Sequence, residues 1–354
     1  MKMNLRKLGI LAMVITVITS CKKDQVIDDG GVVVPGDYEN GYFVTNEGNF
    51  GTGNGSISFV SAANVVENDV FASINSFALG DVVQSMNIIG ENAYVLVNGS
   101  AKIEVATIAD MKSVATIDVV SPRFIAKVSD AKAYVTDWGI NGVQVIDLTT
   151  NTVSSTITCG TGPEGIAISS GFAYVCNVGG FSLDSTVTII NTTTDVVETT
   201  LTVGDKPNSA IVDINGAVWV LTGGYTEYDA AWNVVSETAG NLVKIVGNTI
   251  EATYAFAVGN HPEDLVINDA GTTLYYSDGS WSKAVYAFDI VGTELPTIAL
   301  INKSFYALGC SNGYIYGTDA VDYVQSGWSF TYSIDGTVVD SAQVGIIPGG
   351  YCFN

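Results

Sequence analysis

The stretch AYVTDWGINGVQVIDLTTNTVSSTITCGTGPEGIAIS, residues 133–169, contains four short runs that alternate or are β-branched, each bounded by Gly, Asn or Asp. Such runs read as strands joined by tight turns, with no segment long enough for a helix. The next stretch, residues 173–212, AYVCNVGGFSLDSTVTIINTTTDVVETTLTVGDKPNSAIV, repeats the order. The same aromatic strand recurs along the chain at Phe43, Tyr94, Tyr134, Tyr174, Trp219, Tyr275 and Tyr316, at spacings of 51, 40, 40, 45, 56 and 41 residues. That period matches one four-stranded propeller blade. The reading is all-β: a seven-bladed β-propeller of four-stranded antiparallel blades. Pro122, Pro163, Pro207, Pro262 and Pro348 each stand where an inner strand begins, a place that tolerates a missing N–H. The last of them opens PGGYCFN, residues 348–354, an inner strand with no aromatic strand after it, whereas the first blade has no inner strand before it. The C-terminal strand is therefore expected to close the ring inside the first blade and remove its open edges.

Residues 1–20 read as a signal peptide: Lys2, Arg6 and Lys7 precede an apolar run from Leu8 to Ile18. The run ends in Ile18-Thr19-Ser20-Cys21, which resembles a bacterial lipobox and implies lipidation at Cys21. Residues 21–40 carry Gly, Pro and acids without periodicity and read as a tether of roughly 25 Å; residues 41–354 form the propeller. With the first twenty residues removed, 11 basic side chains face 36 acidic ones, a net charge of −25. That balance excludes nucleic acid as a partner. Cys159, Cys176, Cys310 and Cys352 form no CxxC pair, and Cys310 and Cys352 lie at different depths of neighbouring strands, which argues against a disulfide.

Residues 133–169 and 173–212 resemble the YVTN repeats of bacterial and archaeal surface-layer-type propellers. The opening GYFVTNEGNFGTGNGSISF, residues 41–59, together with the lipobox, resembles more narrowly the YncE-like lipoproteins of Bacteroidetes. That group includes surface-exposed propellers that capture cobalamin for a TonB-dependent transporter. The resemblance implies an outer-membrane lipoprotein facing the cell exterior, with a corrinoid as ligand and a TonB-dependent receptor as partner. The Lys22-Lys23-Asp24-Gln25 segment is similar to a degenerate form of that group's export signal.

In a propeller, the loops before the inner strands and those between second and third strands open on one face around the channel. The second-to-third-strand loops hold Phe50, Trp138, Phe181, Tyr225, Tyr228, Trp232, Trp281, Tyr323 and Trp328, including four of the five tryptophans. These rings either form a stacking platform for a macrocycle or sugar, or plug the gaps between blades. The starts of the inner strands add Gln84, Arg123, Glu164, Asn208, His261, Glu263 and Ser304. Arg123, the only arginine beyond the signal segment, either grips a phosphate or carboxylate or pairs with Glu164. His261, the only histidine, reads as a metal contact or as a hydrogen-bonded loop residue. Asn46, Asn98, Asp137, Asn177, Asp278 and Asp319 end the aromatic strands as turn caps. The Asn46-Glu47-Gly48-Asn49-Phe50 loop departs from the repeat and is the first choice for a specific ligand contact. The long blade-five loop, residues 223–241, is expected to act as a flap.

No G-x-S-x-G, Gly-rich phosphate loop or H-E-x-x-H occurs, so no catalytic residue, cofactor or metal is assigned. Three readings follow: a non-catalytic ligand-binding lipoprotein, a module that recognises a glycan or protein, and a metal-dependent hydrolase of the propeller-lactonase kind.

Overall fold

The structure, a computed structural model, describes Tyr38, residues 40–278 and residues 283–354. The signal segment, Cys21, most of the tether and Trp281 lie outside the described residues. Among the described residues, seven antiparallel blade sheets follow one another along the chain, six of four strands and one of three, beside one two-stranded hairpin sheet. The first blade contains Pro348–Phe353, Gly41–Asn46, Ser56–Ser61 and Val66–Glu67 in that spatial order, so the C-terminal strand closes the ring as the sequence predicts. Phe43 opposes Cys352 and Val44 opposes Tyr351 across this junction.

The inner strands of the next six blades are Val83–Ile89, Pro122–Ser129, Pro163–Ser169, Pro207–Val212, Glu263–Ile267 and Leu308–Ser311. The second strands are buried at nearly every position, because each is covered on both faces by neighbouring blades. Tyr94, Tyr134, Tyr174 and Trp219 from this repeat are among the largest fully buried side chains. The Trp219 indole N–H donates to Asp213 at 2.9 Å, so its polar edge is satisfied in the core.

Blade six departs from the repeat. Its third strand, Ala284–Asp289, pairs with Thr273–Asp278 on one side and on its outer side has only an isolated bridge between Val285 and Ile301. The intervening VGTELPTIA, residues 291–299, includes a proline that cannot donate to a ladder and a glycine that weakens a strand. The cysteines at 159, 176, 310 and 352 are all free thiols. The blade-five flap is a small hairpin, Thr226–Tyr228 paired with Val234–Glu237. Trp328 lies inside the third strand of blade seven, Ser326–Ser333, opposite Asp319, not in a loop. The strand begins there because Trp328 and Phe330 continue the alternation of the run that follows.

Candidate channel-mouth binding site

Six inner strands carry a register irregularity at or beside their first residues: after Val83, Pro122, Pro163, Pro207 and Glu263, and opposite Thr45 in blade one. A bulge leaves one residue unpaired and re-aims its side chain. Here Gln84, Arg123, Glu164 and Asn208 at the unpaired positions, and Glu263, which still pairs with Ser277 just before the blade-six irregularity, line a shared cavity of about 650 Å³ at the channel mouth. Blade seven supplies the matching position without a proline. Its Ala307 N–H donates to Thr318 Oγ1 at 2.9 Å, as Phe124 N–H does to Thr136 Oγ1 at 3.0 Å, so Tyr306 is the counterpart of Arg123. Sequence reading placed Ser304 there, two residues early.

Blade one holds Gly349 at this position. A Cβ there would lie 2.6 Å from Glu47 Oε1, and the Glu47 side chain fills the space a larger residue would occupy. Both Glu47 oxygens accept from the Tyr306 hydroxyl, at 3.1 and 3.2 Å. Burial pushes the Glu47 carboxyl above its ordinary value, opposed by that hydrogen bond and by the charge of Arg123.

Arg123 is committed within the protein. Its Nε and Nη2 donate to Glu164 at 2.8 and 2.7 Å, its Nη1 donates to Gln84, and its guanidinium lies 4.2 Å over the Trp138 ring. One side chain thus ties blades two, three and four together. Four carboxylates (Glu47, Glu164, Glu263 and Asp264) line the cavity against Arg123, Lys206 and His261. Lys283 pairs with Glu263, and Lys206 lies 5.7 Å over Tyr225.

Asp264 went unnoticed in the sequence. It sits in the blade-six bulge with φ of 59°, a left-handed conformation that Asp tolerates better than most residues, and its carboxylate makes no hydrogen bond with a described residue. Burial and the neighbouring Glu263 push its carboxyl up to about 7, with Lys283 acting in the opposite direction.

His261 anchors the flap. Its Nδ1 lies 2.7 Å from Gly223 O, and its Nε2 lies 3.0 Å from Thr226 Oγ1 and 3.1 Å from Glu237 Oε1, so one ring contacts both strands of the hairpin near their base. Tyr225 and Tyr228 then line the cavity, whereas Trp232 stands at the hairpin tip with 82% of its surface exposed, beside Tyr228 at 6.1 Å.

The remaining rim residues divide. Phe50 and Phe181 are exposed, and Tyr323 is half-exposed and edge-on to Tyr306 at 5.8 Å. Trp138 is wedged between Arg123 and Phe181 as an inter-blade plug, and its buried indole N–H has no partner among the described residues. Asn46 is wholly buried and donates to Ser56 and Ser58, which places it in the blade interior and away from the cavity surface. Asn49 donates to Tyr323 O at 2.7 Å and ties the blade-one loop to blade seven. Asn98 and Asp137 cap the segment before Pro122, as their repetition predicts. Among the described residues no three His, Cys, Asp or Glu side chains are grouped so as to hold a metal ion.

The family described as Domain of unknown function (DUF5074) matches residues 40–345, nearly the whole ring. The chain belongs to the DUF5074 family. No curated protein matches this DUF5074 chain. Among solved structures it is similar to the periplasmic gluconolactonase of Pseudomonas aeruginosa, at 10% identity and TM-score 0.64, covering 88% of this chain and 98% of that one. A putative 6-phosphogluconolactonase from Bacteroides uniformis aligns at 10% identity and TM-score 0.63, over 88% and 99%. A functionally unknown protein from Desulfotomaculum acetoxidans aligns at 15% identity and TM-score 0.61, over 88% and 98%. At such identities the likeness is one of fold alone.

Proposed function

We propose that this DUF5074 propeller is a non-catalytic capture protein of the cell envelope. In this reading it is lipid-anchored at Cys21 on the cell surface and holds a corrinoid across the channel mouth for a TonB-dependent outer-membrane transporter. The observation that carries the binding reading is the pairing of a 650 Å³ cavity rich in hydrogen-bond acceptors with exposed rings on the same face. A corrinoid is a flat macrocycle edged with primary amides. Its faces suit Trp232, Tyr228 and Phe50, and its amide N–H groups suit Glu47, Glu263 and Asp264.

The shared fold with gluconolactonases favours a second reading, hydrolysis of a sugar lactone. Charge weighs against a phosphorylated substrate, because four carboxylates line the cavity and the guanidinium of Arg123 is already bound to Glu164 and Gln84. A glycan or protein ligand on the same rim is the third. Calorimetric and fluorescence titration with cyanocobalamin tests the first. One-to-one binding that weakens in Trp232→Ala and Glu47→Gln supports it; absence of heat and of quenching rejects it. Turnover of gluconolactone would establish the second.

A further inference from the structure

The face opposite the channel mouth carries a separate feature at the ring's closing seam. In blades two, three and four the repeat tyrosine reaches across to the turn between the third and fourth strands of the next blade. Tyr94 donates to Asn151 at 3.0 Å, Tyr134 to Asp195, and Tyr174 to Gly247 O at 2.9 Å. The same step from blade seven would carry Tyr316 to the turn containing Asn64. That side chain donates instead to Ser341 O at 3.3 Å. Tyr316 is only 6% exposed as a residue, yet its hydroxyl makes no hydrogen bond to a described residue and is not among the buried unsatisfied atoms, so it is open to solvent and free to pair with an incoming group.

A cavity of about 460 Å³ lies beside that hydroxyl. Tyr42, Tyr314, Tyr316 and Phe353 bring aromatic rings to it, with Tyr316 at 4.8 Å from Tyr42, 5.0 Å from Phe353 and 6.5 Å from Tyr314. Asn312 and Asp340 add polar groups, and among the described residues no Lys, Arg or His lines it. An anion finds no counter-charge there, and a wholly apolar ligand would bury the phenol and amides unpaired. A pyranose meets both demands: its C–H face packs on aromatic rings while its hydroxyls bond to phenol, amide and carboxylate.

We propose that the seam between blades seven and one is a binding site for a neutral saccharide, independent of the ligand held at the channel mouth. Tyr316 supplies a hydroxyl partner and Tyr314, 38% exposed, an aromatic wall.

The test is saturation-transfer NMR on the purified protein with cellobiose, maltose, xylobiose, mannobiose and chitobiose as probes. At least one disaccharide is expected to receive saturation. Tyr316→Phe should weaken it roughly tenfold by loss of one hydrogen bond, Tyr314→Ala should abolish it, and Trp232→Ala at the opposite face should leave it unchanged. Because the Tyr316 hydroxyl holds nothing in the protein, Tyr316→Phe should melt with the parent. The proposal is overturned if no probe is saturated, if Trp232→Ala removes the signal while Tyr314→Ala keeps it, or if Tyr316→Phe melts at a lower temperature.

Discussion

Replacing Asp264 with Asn isolates the cost of keeping a carboxylate in the channel. The folded chain holds this proton up to about pH 7, whereas the unfolded chain releases it near 3.8. Asp264 therefore contributes stability that is complete below about 3.8, falls as pH rises towards 7 and is lost above it. The full span corresponds to about 4 kcal/mol at roughly 1.4 kcal/mol per tenfold change. Water in an open channel mouth screens part of that, leaving about 2 kcal/mol. Asn cannot ionise, has the same shape and tolerates the left-handed φ of 59°. The variant should match the parent near pH 3 and exceed it by about 2 kcal/mol at pH 8, with about half of that gain present by pH 4.5. Urea unfolding followed by tryptophan fluorescence at about pH 3, 4.5, 6 and 8 reads this directly. Glu47, also pushed up by burial, adds a slope of the same sign to both proteins and cancels in the difference. A variant-minus-parent difference that is equal at pH 4.5 and 8 would refute the reasoning.

Arg123→Met should cost about 3 kcal/mol, since it strands Glu164 without its partner, while the Arg123→Met/Glu164→Leu pair should recover to within about 1 kcal/mol of the parent; denaturation midpoints in a double-mutant cycle check it. Trp138→Ala should lower stability by about 2 kcal/mol because the ring is wedged between Arg123 and Phe181, whereas Trp232→Ala should change it by less than about 0.5 kcal/mol yet weaken ligand binding. Thermal melts paired with titrations separate the two residues. Deleting residues 348–354 removes the inner strand of blade one and exposes the edge of Gly41–Asn46, so the shortened chain should elute as soluble aggregate in size-exclusion chromatography.

The ring was legible because its signals repeat. Aromatic strands at blade spacing and prolines at the starts of inner strands point to Arg123, Glu164, Asn208 and Glu263 at the channel mouth, and all four line the cavity there. Where a blade lacks the marker, reading slipped: blade seven has no proline at that point, so Ser304 stood in for Tyr306. Asp264 carries no compositional signal, since its placement depends on a left-handed backbone angle inside a bulge and its raised carboxyl on burial and on Glu263. The loop aromatics look alike in the sequence, because composition does not distinguish a ring pressed between blades, like Trp138, from one left in solvent, like Trp232. That distinction depends on which neighbour comes within reach, and Arg123 comes within 4.2 Å of Trp138.

The bulged positions also account for how one fold carries unlike chemistries. Six blades send one side chain from the matching inner-strand position to the shared cavity, so backbone geometry sets where a group stands and the residue type sets what it does. In this chain blade one forgoes its side chain: Gly349 is bare, and Glu47 arrives from the adjoining loop to fill the gap and accept from Tyr306. A glycine there admits a carboxylate carried on a loop between strands, where a residue on the rigid inner strand would exclude it. Glu47 therefore links the channel to the Asn49–Phe50 rim, and through Asn49 to blade seven. A ligand that displaces the Tyr306 hydroxyl from Glu47 would loosen both at once, so Glu47→Gln should alter ligand affinity and the mobility of the Phe50 loop together, whereas Trp232→Ala should alter affinity alone.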